Sequence, residues 1–132
     1  MIGIDTNILL RATLDDHPTQ SAQARKLLAT LANEHPGFVN IPVLLEFFWV
    51  LRSRYKVPRP RLAAVLRDLL GVEHFVFEAL DVAGRALAAY ESGKADFADS
   101  VIALRNQEFG VLTTYTFDSD AAGAIPSMEL LS

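Results

Sequence analysis

The chain has 132 residues, 51% of them hydrophobic, and a formal net charge of -4. That length fits one domain over 1–132 with a single continuous core, and so apolar a composition argues against a disordered chain. The absence of cysteine excludes disulfides, thiolate catalysis and thiolate zinc sites, and His17, His35 and His74 lack ligand-like spacing.

No apolar run is long enough to span a bilayer, and no basic, apolar and small-residue leader opens the chain, so a cytoplasmic protein without membrane contact is expected. Net negative charge argues against a general nucleic-acid coat, because affinity for phosphate backbones comes from Lys and Arg. Five of the twelve cationic residues, Arg52, Arg54, Lys56, Arg59 and Arg61, nevertheless fall within "RSRYKVPRPR". This cluster is equally a binding patch or the solvated end of a helix and its loop.

In chain order, "MIGIDTNILL" reads as a buried strand through Ile2, Ile4, Ile8, Leu9 and Leu10, interrupted by Asp5, Thr6 and Asn7. "HPTQSAQARKLLATLANEHPG" is an amphipathic helix opened by Pro18 and Thr19 and stopped by Pro36 and Gly37. "FVNI" is a short strand, and Pro42 opens "PVLLEFFWVLRSRY", a helix apolar almost all round and expected to be largely buried. "RPRLAAVLRDLLG" is a helix ending at Gly71, "HFVFEAL" a short strand, and "DVAGRALAAYESG" a helix with Asp81 as its N-cap.

"DFADSVIALRNQEFG" is helical, with Phe97, Val101, Leu104 and Phe109 along one stripe and Gly110 as its stop. "VLTTYTF" is a strand, "DSDAAG" a polar turn, and "SMELLS" a last short segment. Strands alternating with helices predict an α/β fold with a mainly parallel sheet between helix layers, whose ligands bind at the carboxyl ends of the strands.

The carboxylates stand out against this frame. Asp5 and Asp118 each follow an apolar strand, Asp96 and Asp99 lie three apart at the start of one helix, and Glu46 interrupts the most apolar helix. Ordinary structural tasks exist for most of them. Asp96 and Asp99 favour a helix N-terminus, Asp118 suits a turn, and Asp5 with Thr6 and Asn7 suits an Asx-type turn. Glu46 is the hardest to explain so, since an unpaired carboxylate on a buried helix face costs several kcal/mol.

If both acid-bearing strands are central and parallel, the acids converge on one pocket, where their mutual repulsion calls for a cation. A hard divalent ion such as Mg²⁺ or Mn²⁺ takes oxygen ligands, and no competing Cys or His set exists. Acid clusters of this kind suit metal-dependent phosphodiester hydrolysis.

"IDTNILL", Glu46 on its apolar helix, "ADFADSVIA" and "VLTTYTFD", in that order over the whole chain, resemble a PIN domain, specifically the VapC-type ribonuclease toxins of bacterial toxin–antitoxin pairs. The resemblance implies a Rossmann-like three-layer α/β/α fold. It also implies a Mg²⁺- or Mn²⁺-dependent endoribonuclease, usually a homodimer, inhibited by a cognate antitoxin. Carried over by motif, Asp5, Glu46, Asp99 and Asp118 match the family's acids, with Asp5 and Asp99 as the main metal ligands. Glu46, Asp118 and the accessory Asp96 support them, and Asp120 is an alternative to Asp118. Thr6, Asn7 and Thr114 match polar positions that orient ligands or water. The resemblance gives Arg52, Arg54, Lys56, Arg59 and Arg61 the task of holding an RNA backbone, with Tyr55 able to stack on a base.

Other readings are a housekeeping PIN nuclease, a non-catalytic PIN-like scaffold and an aspartate-based phosphatase. Phosphatases of that kind need a second Asp where Asn7 stands, and the receiver domains of signalling relays need adjacent early acids and a late Lys.

Overall fold

The computed structural model describes residues 1–131. The order is β1 (Ile2–Gly3), α1 (Thr6–Leu14), α2 (Gln20–Ala29), β2 (Gly37–Val39), α3 (Ile41–Ser53), α4 (Arg59–Leu70), β3 (Phe75–Phe77), α5 (Leu80–Ser92), α6 (Phe97–Glu108), β4 (Thr114–Thr116), α7 (Ser119–Ala124) and β5 (Met128–Leu130). The seven helices and the parallel strands make a three-layer α/β/α architecture. All strand pairing is parallel, but it falls into two sheets, β1-β2-β3 and β4-β5. β1 therefore forms an edge of the first sheet and β4 belongs to the second, so the strands before Asp5 and Asp118 are not neighbours in one continuous sheet.

The opening apolar run divides differently from the expected single strand. Asp5 occupies the N-cap position of α1 with extended backbone (φ -82, ψ 160), and its carbonyl accepts from the amides of Ile8 at 3.1 Å and Leu9 at 3.4 Å. Ile8, Leu9 and Leu10 thus extend a helix, with Thr6, Leu9 and Leu10 on its buried side at helical spacing. The expected α2 is present but ends at Ala29, well before Pro36–Gly37. Gly37 is required for another reason, because a Cβ there would lie 2.9 Å from Leu31 Cδ1 and 3.0 Å from Ile4 Cγ1.

α3 has the predicted Pro at its start, and two side chains satisfy its first amides. Asn40 Oδ1 accepts from Val43 at 3.0 Å, and Glu78 Oε1 accepts from Ile41 at 3.1 Å. Contrary to the expectation of near-complete burial, the helix is amphipathic. Leu44, Phe47, Phe48 and Leu51 face the core, whereas Pro42, Glu46, Trp49 and Arg52 are exposed.

α5 is capped by Ala79, and Asp81 lies one position inside its first turn instead of capping it. α6 ends near Gly110, whose φ of +82 favours glycine. Phe97 and Val101 are buried as the stripe predicts, but Phe109 is 72% exposed, with the Arg105 guanidinium over its ring. The segment "DSDAAG" is not a turn: it forms the short helix α7, because the Asp118 side chain caps it.

The main core joins α1, α3, α4, α5 and α6 around Phe47, Phe48, Leu62, Leu66, Val82, Phe97 and Val101. Fully burying each large side chain contributes about 1.5–3 kcal/mol. Within it the Phe48 ring lies 5.2 Å from that of Phe97 and 5.5 Å, edge-on, from that of Tyr90. These contacts fix the start of α6 against α3 and α5, and that start carries Asp96 and Asp99. A smaller cluster of Ala95, Ala103, Ala121, Ile125 and Met128 joins α6, α7 and β5.

Candidate active site

The start of α6 is the best-defined part of the site. Asp96 is the N-cap of the helix, and its Oδ2 accepts from the Asp99 amide at 3.2 Å. Its other oxygen forms an ion pair with Arg52, which reaches across from α3. Asp99 follows in the first turn, half-buried, with its carboxyl above the usual carboxylate range. Burial is the largest cause, and the charges of Asp96 and Asp118 add to it, while Arg52 acts in the opposite sense. Asp96 and Asp118, from two segments, thus both bear on the charge of Asp99.

Asp118 is exposed after β4. Its Oδ1 accepts from the amides of Asp120 at 2.9 Å and Ala121 at 3.1 Å, and its own amide donates to Thr116 Oγ1 at 3.0 Å. Its capping task is therefore realised, leaving Oδ2 for other partners. Asp120 lies exposed in the first turn of α7.

Asp5 sits where β1 gives way to α1, and its exposed carboxylate makes no hydrogen bond or ion pair among the described residues. The Asx-type turn available to it is not formed by its side chain. Glu46 is on the solvent face of α3 and is also without a partner among the described residues, so the penalty expected for burying it does not arise. α3, which bears Glu46, packs on α6, and α1, which Asp5 opens, packs on α3. Among the described residues, no three His, Cys, Asp or Glu side chains close on a single point.

The polar positions diverge. Thr6 is 3% exposed and its hydroxyl has no partner among the described residues, and the same holds for the hydroxyl of Ser100, also 3% exposed, beside Asp99. Ser100 was not among the predicted site residues, although a hydroxyl three positions after Phe97 on the apolar stripe was a legible anomaly. Asn7 lines a cleft between α1 and α2 with Arg11 and Gln20. Thr114 Oγ1 accepts from Asn106 Nδ2 at 3.0 Å, bracing β4 to α6 instead of touching an acid.

The cationic stretch is also divided. Arg52 is held by Asp96. Arg59 is a structural residue: its guanidinium donates to the carbonyls of Tyr90 at 2.7 Å, Gly93 at 2.8 Å and Ala95 at 2.8 Å, and stacks 4.1 Å from the Tyr90 ring centroid. It thereby fixes the connection between α5 and α6 that delivers Asp96. Arg54, Lys56 and Arg61 are exposed and make no ion pair among the described residues. The Tyr55 hydroxyl donates to Asp16 Oδ2 at 3.3 Å.

With this geometry in place, comparison with known families is decisive: residues 2–124 match the model of the PIN domain. The chain belongs to the PIN domain family. No curated protein matches it. PIN domains are generally nucleases and generally use divalent metal ions. The donor atoms of this PIN domain suit such an ion, since its acids offer only hard oxygen. The Asp5 carboxylate is unengaged among the described residues, and the Asp99 carboxyl is raised by burial first and by the neighbouring acids second. Among the described residues no helix is long and apolar enough to cross a membrane.

Proposed function

We propose that this PIN domain is a Mg²⁺- or Mn²⁺-dependent endoribonuclease and the toxin of a type II toxin–antitoxin pair, inhibited by a cognate antitoxin. The observation that carries the hydrolytic reading is the environment of Asp99, a half-buried carboxyl raised by burial and by two further acids. A bound divalent ion supplies activation of water and stabilisation of charge on the phosphate. Asp5 and Asp99 hold it, and Glu46 and Asp118 complete the acidic rim. Asp96 positions Asp99 through its amide and turns Arg52 toward the site.

RNA as the substrate is supported by Arg54, Lys56 and Arg61, which are free to meet a phosphate backbone that the acids would repel. A homodimer is supported by the exposure of four large apolar side chains within nine residues, Phe109, Leu112, Tyr115 and Phe117, since exposed apolar surface marks interaction sites.

The test is RNA cleavage by purified protein with Mg²⁺ or Mn²⁺, beside Asp5→Asn and Asp99→Asn. Each substitution should lower cleavage by more than the roughly 100-fold that loss of a metal ligand's outer partner costs, with the fold intact. Full activity in either variant defeats the assignment. Expression of the wild type alone should arrest growth where the variants do not, and normal growth under strong expression points to a housekeeping nuclease.

A further inference from the structure

Trp49 is the only tryptophan in the chain, and it is 56% exposed. Its helix has ample apolar surface to bury, and it turns Leu44, Phe47, Phe48 and Leu51 inward while leaving the indole in water. The position is specific. Glu46, Trp49 and Arg52 follow one another at intervals of three, so they are neighbours along one face of α3, all exposed. Glu46 is a candidate catalytic acid, and Arg52 is ion-paired to Asp96, the cap of the helix that carries Asp99. The indole is thus bracketed by one carboxylate and one guanidinium at the edge of the acidic site. Phe117, 80% exposed, lies just after β4.

A flat aromatic surface beside a phosphodiester-cleaving centre suits an unpaired nucleobase, which stacks on it regardless of sequence. We infer that Trp49 is the stacking platform for a base of single-stranded RNA next to the cleaved phosphodiester. The inference rests on the nuclease reading above and adds to it a residue that orients the substrate. Because Trp49 holds the base in both the bound and the reacting state, its loss acts chiefly on KM and little on kcat.

The experiment uses the full chain in metal-free buffer, titrated with a single-stranded RNA oligonucleotide while the emission of its single tryptophan is followed. Saturable quenching is expected, and an oligonucleotide with abasic positions should abolish it. Trp49→Ala should weaken RNA binding roughly 10- to 100-fold, and Trp49→Phe should restore part of the loss. With metal present, Trp49→Ala should raise KM, leaving kcat and the unfolding temperature near wild type. RNA cleavage with unchanged KM in Trp49→Ala, or RNA binding without any change in emission, overturns the platform and leaves the nuclease reading standing. Emission that shifts with protein concentration and not with RNA also overturns it, because the indole is then covered by another protein chain. A wild type that neither binds nor cleaves RNA overturns both.

Discussion

Asp96 accepts the amide of Asp99 at 3.2 Å, and its charge also helps to raise the Asp99 carboxyl above the usual range. One side chain thus secures the start of α6 and makes ionisation of the next acid on that face less favourable. A stabilising cap and a destabilising repulsion coexist because they act through different groups, a backbone N–H and a carboxylate.

The sign of the resulting pH dependence follows from the direction of that shift. The folded chain keeps the Asp99 proton to higher pH than the unfolded chain does, so unfolding releases a proton between the ordinary and the raised value. Metal-free stability from this group is greatest below the ordinary carboxylate range and declines as pH rises through the raised value. Asp99→Asn removes the penalty and should raise the unfolding temperature at pH 7, with the gain vanishing below about pH 4. Addition of Mg²⁺ should stabilise the wild type more than the variant. Thermal denaturation across pH, with and without Mg²⁺, checks both statements; a variant less stable than wild type at pH 7 without metal contradicts them.

Arg59 should matter for stability more than for charge. Its guanidinium answers three carbonyls around the end of α5, a geometry that the single ammonium of Lys does not reproduce. Arg59→Met should cost about 1–3 kcal/mol and Arg59→Lys most of that, as measured by denaturant unfolding. Cleavage should fall as well, since the connection that delivers Asp96 is loosened. Stability within a few tenths of a kcal/mol of wild type in both variants would show that water replaces the guanidinium at no cost.

His17 supplies a cap that its residue type does not advertise. Its Nδ1 accepts from the amides of Thr19 at 3.3 Å and Gln20 at 3.0 Å, and its own amide donates to Ser21 Oγ at 3.2 Å, so the start of α2 is closed reciprocally. His17→Ala should cost about 1 kcal/mol, and His17→Asn, which offers a comparable acceptor, should recover part of it. Equal unfolding temperatures for the wild type and the Ala variant would exclude the capping role.

The helices were legible where punctuation and periodicity agreed: Pro42 opens α3, Gly71 ends α4, and Asp96 caps α6. The opening run misled because Ile8, Leu9 and Leu10 are apolar whether they form a strand or a buried helix turn, and only the backbone at Asp5 decides between them. "DSDAAG" misled because the same Asp that favours a turn also caps a helix. Around the candidate site, adjacency in sequence was enough to set Asp96 and Asp99 together at the start of α6. It was not enough to assign Arg52 to Asp96 or Arg59 to the end of α5, since those pairings cross 44 and 31 residues. Glu46 looked anomalous only because its helix looked wholly buried, and the exposed face on which it lies was hidden by the apolar Trp49 beside it.

The division of the cationic stretch yields a quantitative expectation for RNA binding. With Arg52 paired to Asp96 and Arg59 bound to carbonyls, Arg54, Lys56 and Arg61 remain for phosphate contacts. Each contact to a single strand adds about 0.7 to the slope of log affinity against log salt, so replacing all three with Ala should reduce that slope by about 2. Arg59→Met should weaken binding, if at all, without flattening the slope to a similar degree, because its charge is already engaged by the protein. Binding isotherms at several salt concentrations separate the two cases. An unchanged slope in the triple variant would place the RNA backbone on another face of the molecule, and a slope that flattens equally in Arg59→Met would mean that its carbonyl contacts give way to phosphate when RNA binds.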